Sequence, residues 1–118
     1  MVSAHLHRLA HRLIRWYQAT LGIPTLGARA IVLNEKNQIL LVKHTYQLSW
    51  YIPGGGIQKK ESAKAAILRE LKEEVGLTVS EEPELFGIYH HTYLGVSDYP
   101  IIYIIKQFTL SPVTSPEI

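Results

Sequence analysis

Three glutamates, Glu70, Glu73 and Glu74, fall in residues 62–75, a stretch that reads as a helix stopped by Gly76. At about 100° per residue, with Glu70 at the origin, Glu74 lies about 40° to one side and Glu73 about 60° to the other. The three carboxylates therefore share an arc of roughly 100°. Ile67, Leu68, Leu71 and Val75 make the adjoining apolar stripe, Ala63 and Ala66 lie in the acidic arc, and Arg69 and Lys72 fall outside both. Two carboxylates about 5 Å apart repel by roughly 3 kcal/mol at an effective dielectric near 20, so solvent, protonation or a cation must offset the strain. The sequence holds no cysteine, and an all-oxygen donor set points to Mg²⁺ or Mn²⁺ and away from zinc. Taken alone, the triplet is also consistent with a solvated acidic helix face. What favours a site is the adjoining core stripe and the preceding Gly54-Gly55-Gly56, which lets backbone approach a phosphate or present a carbonyl to a metal.

The surrounding segments must position these groups. Residues 28–33 and 39–43 are β-rich runs around Asn34-Glu35-Lys36-Asn37, a hairpin turn. Residues 45–61 read as loop. Residues 85–93 and 100–110 read as two long strands joined by residues 94–99, and the apolar run 101–105 predicts a central, buried strand. Residues 112–118 read as loop or frayed end. Ahead of all this, residues 3 to about 21 read as an amphipathic helix ended by Gly22 and Pro24, with Leu6, Leu9, Leu13, Ile14 and Tyr17 on one side and Arg8, Arg12 and Arg15 largely on the other. Two parts are expected: a basic helical head over 1–25 and a catalytic-type domain over 26–118.

Length and composition agree. The 118 residues make one domain with one modest core. An apolar share of 47% and a charged share of 19% are ordinary for a soluble protein, and no run is long enough to span a membrane. The net charge of +2 conceals an acid-free head (residues 1–34) and glutamates at 61, 70, 73, 74, 81, 82 and 84. The head is expected to pack on the domain or on a second subunit. An anionic surface and a mitochondrial targeting role are the alternatives for it. Absence of cysteine fits a reducing compartment, so the cytoplasm is the expected location.

The spacing over residues 55–77 is more specific than any of these arguments. It reads glycine, five residues, Glu61, seven residues, Arg69-Glu70-Leu71, one residue, Glu73-Glu74, one residue, Gly76-Leu77. This resembles the signature of the Nudix hydrolase family at every defining position. Trp50-Tyr51-Ile52-Pro53-Gly54-Gly55-Gly56 is similar to that family's lead-in to its motif, as is the Ile39-Leu40-Leu41-Val42-Lys43 run before it. The resemblance spans residues 26–118. It implies an α/β (α+β) Nudix fold, an α/β/α sandwich with a mixed β-sheet, in which the motif forms a loop, helix and loop. It implies that Glu70, Glu73 and Glu74 ligate the metal, joined by a backbone carbonyl of Gly54 or Gly55. Arg69 then orients these carboxylates, Glu61 supports the site from the helix start, and Gly76 serves the closing turn. The implied activity is Mg²⁺- or Mn²⁺-dependent hydrolysis of the phosphoanhydride bond in a nucleoside diphosphate linked to another moiety. The implied base is a carboxylate, from the motif or from a later segment.

Departures from the family pattern set further expectations. Gln58-Lys59-Lys60 stands where relatives often carry an acid and a glycine, and Lys59 or Lys60 is either a phosphate contact or a solvated surface residue. The chain stops at Pro116-Glu117-Ile118, where relatives continue into a further strand and closing helix, so the domain is expected to be short of both and to favour a homodimer. Tyr93 falls where diadenosine polyphosphate hydrolases tend to carry a tyrosine. Trp50, Tyr51, His90 and His91 are candidates for base or phosphate contact, against ordinary packing roles. A nucleotide-type small molecule is the expected substrate. A non-catalytic nucleotide-binding module and an RNA 5′-end pyrophosphohydrolase using the basic head are the rivals.

Overall fold

The computed structural model describes residues 6, 8–10, 12–14, 21–43, 45 and 48–111. Its order is β1 (Thr25–Val32), β2 (Gly54–Gly56), α1 (Ala63–Val75), β3 (Leu77–Val79), β4 (Glu84–Ile88), β5 (His91–Tyr93), β6 (Val96–Ile105) and β7 (Phe108–Leu110). A five-stranded mixed sheet runs β2-β1-β6-β4, with β5 also on β6. β1 and β6 are parallel and the other pairs antiparallel. β3 and β7 form a separate two-stranded ribbon.

Local chemistry explains α1. Ser62 is its N-cap in extended conformation, and its hydroxyl accepts from the Ala65 N–H at 3.0 Å. Gly76, at φ 69°, adopts the left-handed turn that sends its N–H back to the Leu71 and Lys72 carbonyls. The expected apolar stripe packs in part: Ile67 and Leu71 are fully buried and Val75 partly so, Leu68 is exposed, and Ala66, expected in the acidic arc, joins them against Ala28, Ala30, Val32, Leu77, Tyr103 and Ile105. The central position expected of residues 101–105 is also found, between β1 and β4. Only one of its faces is sealed, since Tyr103 and Ile105 are buried while Ile102 and Ile104 are half-buried.

Three expectations about strands are corrected. Residues 39–43 form no ladder but two isolated bridges, Leu33 with Ile39 and Val42 with Tyr51. The single strand expected over 85–93 is two, β4 and β5, and β4 itself carries an irregularity between Leu85 and Gly87. The strand expected over 100–110 begins earlier, at Val96, and breaks at Lys106-Gln107 so that β7 can pair with β3. A tight turn at Leu94-Gly95, both at positive φ, replaces the expected longer connection.

In the head, the described residues 6, 8–10 and 12–14 are helical. Leu6, Leu9, Leu13 and Ile14 are 52%, 47%, 59% and 58% exposed, so a single chain does not bury their stripe. Arg15, Tyr17 and the expected frayed end at 112–118, with Glu117, lie outside the described residues. Among the described residues no helix is long and apolar enough to cross a membrane.

Candidate active site

Arg69 is the organising side chain. The helical wheel leaves it outside the acidic arc, but its length lets it fold back over that arc. Its Nε and Nη2 donate to the two oxygens of Glu61 at 2.7 and 2.9 Å. Its Nη1 donates to Glu70 Oε1 at 2.9 Å and to Glu73 Oε2 at 3.3 Å. Nη2 also donates to the Gly56 carbonyl at 3.2 Å, so the five N–H donors of a guanidinium are all engaged. One cation thus ties the start of the motif, two carboxylates of α1 and the glycine strand together. The mutual repulsion of the carboxylates is offset in part by this shared partner.

Glu61 has a second attachment, accepting from the Gln58 N–H at 3.0 Å. That bond closes the turn ahead of α1, in which Lys60 is left-handed at φ 64°. A residue without a Cβ would adopt that conformation at less cost. The hydrogen bonds from Arg69, and then that from Gln58, hold the Glu61 carboxyl at about 2, below its ordinary value of 4.5. The same pairing, led by Glu61, pushes the Arg69 guanidinium up.

The sign of the pH effect follows. Folding weakens Glu61's hold on its proton, so its contribution to stability is complete above pH 4.5 and is lost as pH falls towards 2. Urea unfolding of wild type and Glu61→Gln should show a constant gap in midpoint above about pH 5, with wild type higher, and that gap should close on acidification. A gap unchanged down to pH 2 would mean the ion pair does not form.

Glu74 is buried where Glu73 is exposed. It is 8% exposed, and its Oε1 accepts from the Gly54 N–H at 3.2 Å. Glu70 lies against Gly55, where an added Cβ would stand 2.6 Å from the Glu70 carboxylate. The glycine strand and the acidic arc are therefore in van der Waals contact, and only glycine fits between them. This is a cradle of carboxylate and carbonyl oxygens, the donor chemistry a hard divalent cation takes. Among the described residues no three His, Cys, Asp or Glu side chains already converge on one point as a metal cage. Glu70 and Glu73 are held by Arg69, and Glu74 by Gly54.

The remaining candidates separate from this cluster. Lys59 is exposed on the turn before α1. Trp50 is 63% exposed, with Lys43 Nζ 6.0 Å from its ring centroid. His90 lies in the break just before β5, where Nε2 lies 3.2 Å from Ser97 Oγ and the ring tilts on Tyr99 at 5.0 Å. His91 Nδ1 lies 3.7 Å from Asp98. Tyr93 pairs with Val96 at the end of β5, and its side chain lies outside the described residues. Sequence reasoning missed Arg29, whose guanidinium carbon lies 5.5 Å from the Tyr51 ring centroid and whose Nη1 donates to the Ile52 carbonyl at 3.1 Å. The available signal was a lone cation inside the apolar run Ala28-Arg29-Ala30-Ile31-Val32.

Comparison with known proteins bears on this arrangement. The NUDIX domain family model matches residues 23–113. A Bacillus subtilis protein named as a candidate 8-oxo-dGTP diphosphatase is 45% identical over 65 residues, which is 55% of this chain and 43% of that protein. An RNA pyrophosphohydrolase of Haemophilus influenzae is 51% identical over 60 residues, 51% of this chain and 31% of that protein. The matched segments thus span less than half of these relatives. Among solved structures, the MutT NUDIX hydrolase of Burkholderia pseudomallei superposes with a TM-score of 0.69 at 24% identity, over 80% of this chain and 77% of that one. A MutT structure from work on Aliivibrio salmonicida and Vibrio cholerae has a TM-score of 0.59 at 28% identity, over 71% and 64%.

Proposed function

Because the chain belongs to the Nudix hydrolase family, we propose that it is a divalent-metal-dependent pyrophosphohydrolase that cuts the phosphoanhydride bond of a nucleoside diphosphate linked to another moiety. The observation that carries this reading is the contact of Glu70 and Glu74 with a strand made only of glycine, with Arg69 bracing Glu61, Glu70 and Glu73 around it.

Glu70, Glu73 and Glu74, with a carbonyl of Gly54 or Gly55, would hold Mg²⁺ or Mn²⁺. When bound, the cation supplies neutralising charge for the diphosphate and acidity for the attacking water. The chain's own residues do the rest. Arg69 and Glu61 keep the carboxylates from drifting apart, the glycines admit the diphosphate without steric conflict, and one carboxylate of the cluster takes the proton of the attacking water. Water adds to phosphorus, the bridging P–O bond breaks, and the two halves of the substrate separate, each ending in a phosphate.

A nucleotide-sized substrate is the first reading. RNA bearing a 5′ di- or triphosphate is the second, supported by the identity to the Haemophilus RNA pyrophosphohydrolase and by the exposed Arg8 and Arg12 of the head. Phosphate release should be followed on nucleoside triphosphates, ADP-ribose, nucleotide sugars, diadenosine polyphosphates and 5′-triphosphorylated RNA. Mg²⁺ or Mn²⁺ supports turnover of at least one, and Glu73→Gln lowers it by about two orders of magnitude. RNA as substrate would be marked by a KM that climbs steeply with salt and flattens when Arg8, Arg12 and Arg15 become alanine. No turnover of any compound would replace the hydrolase with a non-catalytic nucleotide-binding module.

A further inference from the structure

Arg29 sits in β1 between Ala28 and Ala30, both fully buried against α1. Strand alternation turns it to the opposite face of the sheet. There it is half-buried, held at one nitrogen by the Ile52 carbonyl and at one face by the Tyr51 ring. The carbonyl uses one of the guanidinium's five N–H donors. No carboxylate among the described residues pairs with it, in contrast to Arg69, which meets three. A half-buried cation with no counter-ion carries a desolvation cost that an incoming anion removes, and a guanidinium fork matches phosphate oxygens in pairs.

Its position relates it to the site already described. Arg29 is paired in register with Gly54, and a Cβ on Gly54 would stand 2.8 Å from Arg29 Cγ, so the arginine stem packs directly on the glycine strand. β2 is the edge of the sheet and carries no side chains. Nothing lies within 4 Å of where a Cβ on Gly56 would be. β2 itself therefore adds no side chain in the way of a ligand that crosses this edge from the carboxylates of α1 to the face that bears Arg29.

We propose that Arg29 is a second anion contact of the same site, binding a phosphate of the substrate on the sheet face opposite α1 while the scissile bond lies on the α1 side. The inference rests on the pyrophosphohydrolase reading and adds to it a second contact for substrate phosphate, outside the carboxylate cluster. Tyr51 and the Ile52 carbonyl are positioning groups that fix the guanidinium.

The test is calorimetric titration of ADP into the full chain with Ca²⁺ present, for wild type, Arg29→Lys and Arg29→Gln, with adenosine as the uncharged probe. Arg29→Gln should weaken ADP binding about 10- to 100-fold, the range for a lost charge-assisted pair. Arg29→Lys should fall between the two, adenosine should bind all three alike, and Tm should move little. In the substrate assay the loss should lie in KM and not in kcat. ADP affinity within twofold of wild type in Arg29→Gln overturns the proposal. So does a parallel loss of adenosine, which would make Arg29 a structural support for Tyr51, or an absence of saturable ADP binding to wild type. If ADP binding depends on Arg29 in a protein that turns over no compound, the anion site stands and the hydrolase reading falls.

Discussion

Glu74→Gln should abolish turnover to within about three orders of magnitude of the wild-type rate, roughly 4 kcal/mol of transition-state stabilisation, while leaving the fold intact. Glutamine is nearly isosteric and retains an oxygen to accept the Gly54 N–H, so the 3.2 Å bond that seats the glycine strand survives. What is lost is the negative charge of the one carboxylate of the cluster that is buried, at 8% exposure. Burying a carboxylate carries a desolvation cost that only a cation or strong donors offset. Mn²⁺ should raise the Tm of wild type by binding the native state, and that rise should shrink or vanish in Glu74→Gln. A variant that keeps both turnover and the metal-dependent rise would remove Glu74 from the metal ligands.

The second large effect separates two adjacent glycines. In Gly54→Ala the new Cβ would stand 2.2 Å from the Ala28 carbonyl oxygen and 2.7 Å from Arg29 Cα, at a φ of 149° that residues with a Cβ rarely adopt. Both obstacles are backbone of β1, which is locked in parallel register to β6 from Thr25 to Val32, so neither strand can yield cheaply. Strain and overpacking together should cost about 3–5 kcal/mol, a large part of the stability of a domain this size. In Gly55→Ala the obstacle is the Glu70 carboxylate at 2.6 Å, the far end of a flexible side chain. It can swing aside, leaving its 2.9 Å contact with Arg69. Stability should then fall by only about 1 kcal/mol, whereas activity should fall about 10- to 100-fold because a proposed metal ligand is displaced. Urea unfolding and turnover measured on both variants decide the matter. Equal losses of stability would show that the two positions do not divide into a backbone contact and a site contact.

The sequence by itself determined what is local. The 3.6-residue period, Ser62 and Gly76 determine α1, and the same period puts Glu70, Glu73 and Glu74 beside the stripe that Ile67 and Leu71 bury. Asn34 likewise closes its own turn, accepting from the N–H groups of Lys36 and Gln38 at 2.9 Å. The spacing over residues 55–77 even carries the family, because the motif is one contiguous loop and helix. What only the tertiary structure decided depends on partners far apart in the chain. Residues 85–110 are β-prone throughout, so propensity gives no reason for breaks at Tyr89-His90 and Lys106-Gln107; the second break comes from the pairing of β7 with β3 in a ribbon separate from the sheet of β6. Residues 39–43 alternate well enough for a strand but find only single bridges to Leu33 and Tyr51. Arg69 shows the same limit at the scale of a side chain. A wheel fixes the direction of its Cβ and its i,i+4 neighbour Glu73, but its reach to Glu61 and Gly56 depends on how the preceding loop returns over the helix. Arg29 was invisible as a site residue for a similar reason: its nearness to Gly54 is created by pairing across 25 residues, and pairing is settled by the packing of the whole sheet, not by any periodicity in the segment that carries it.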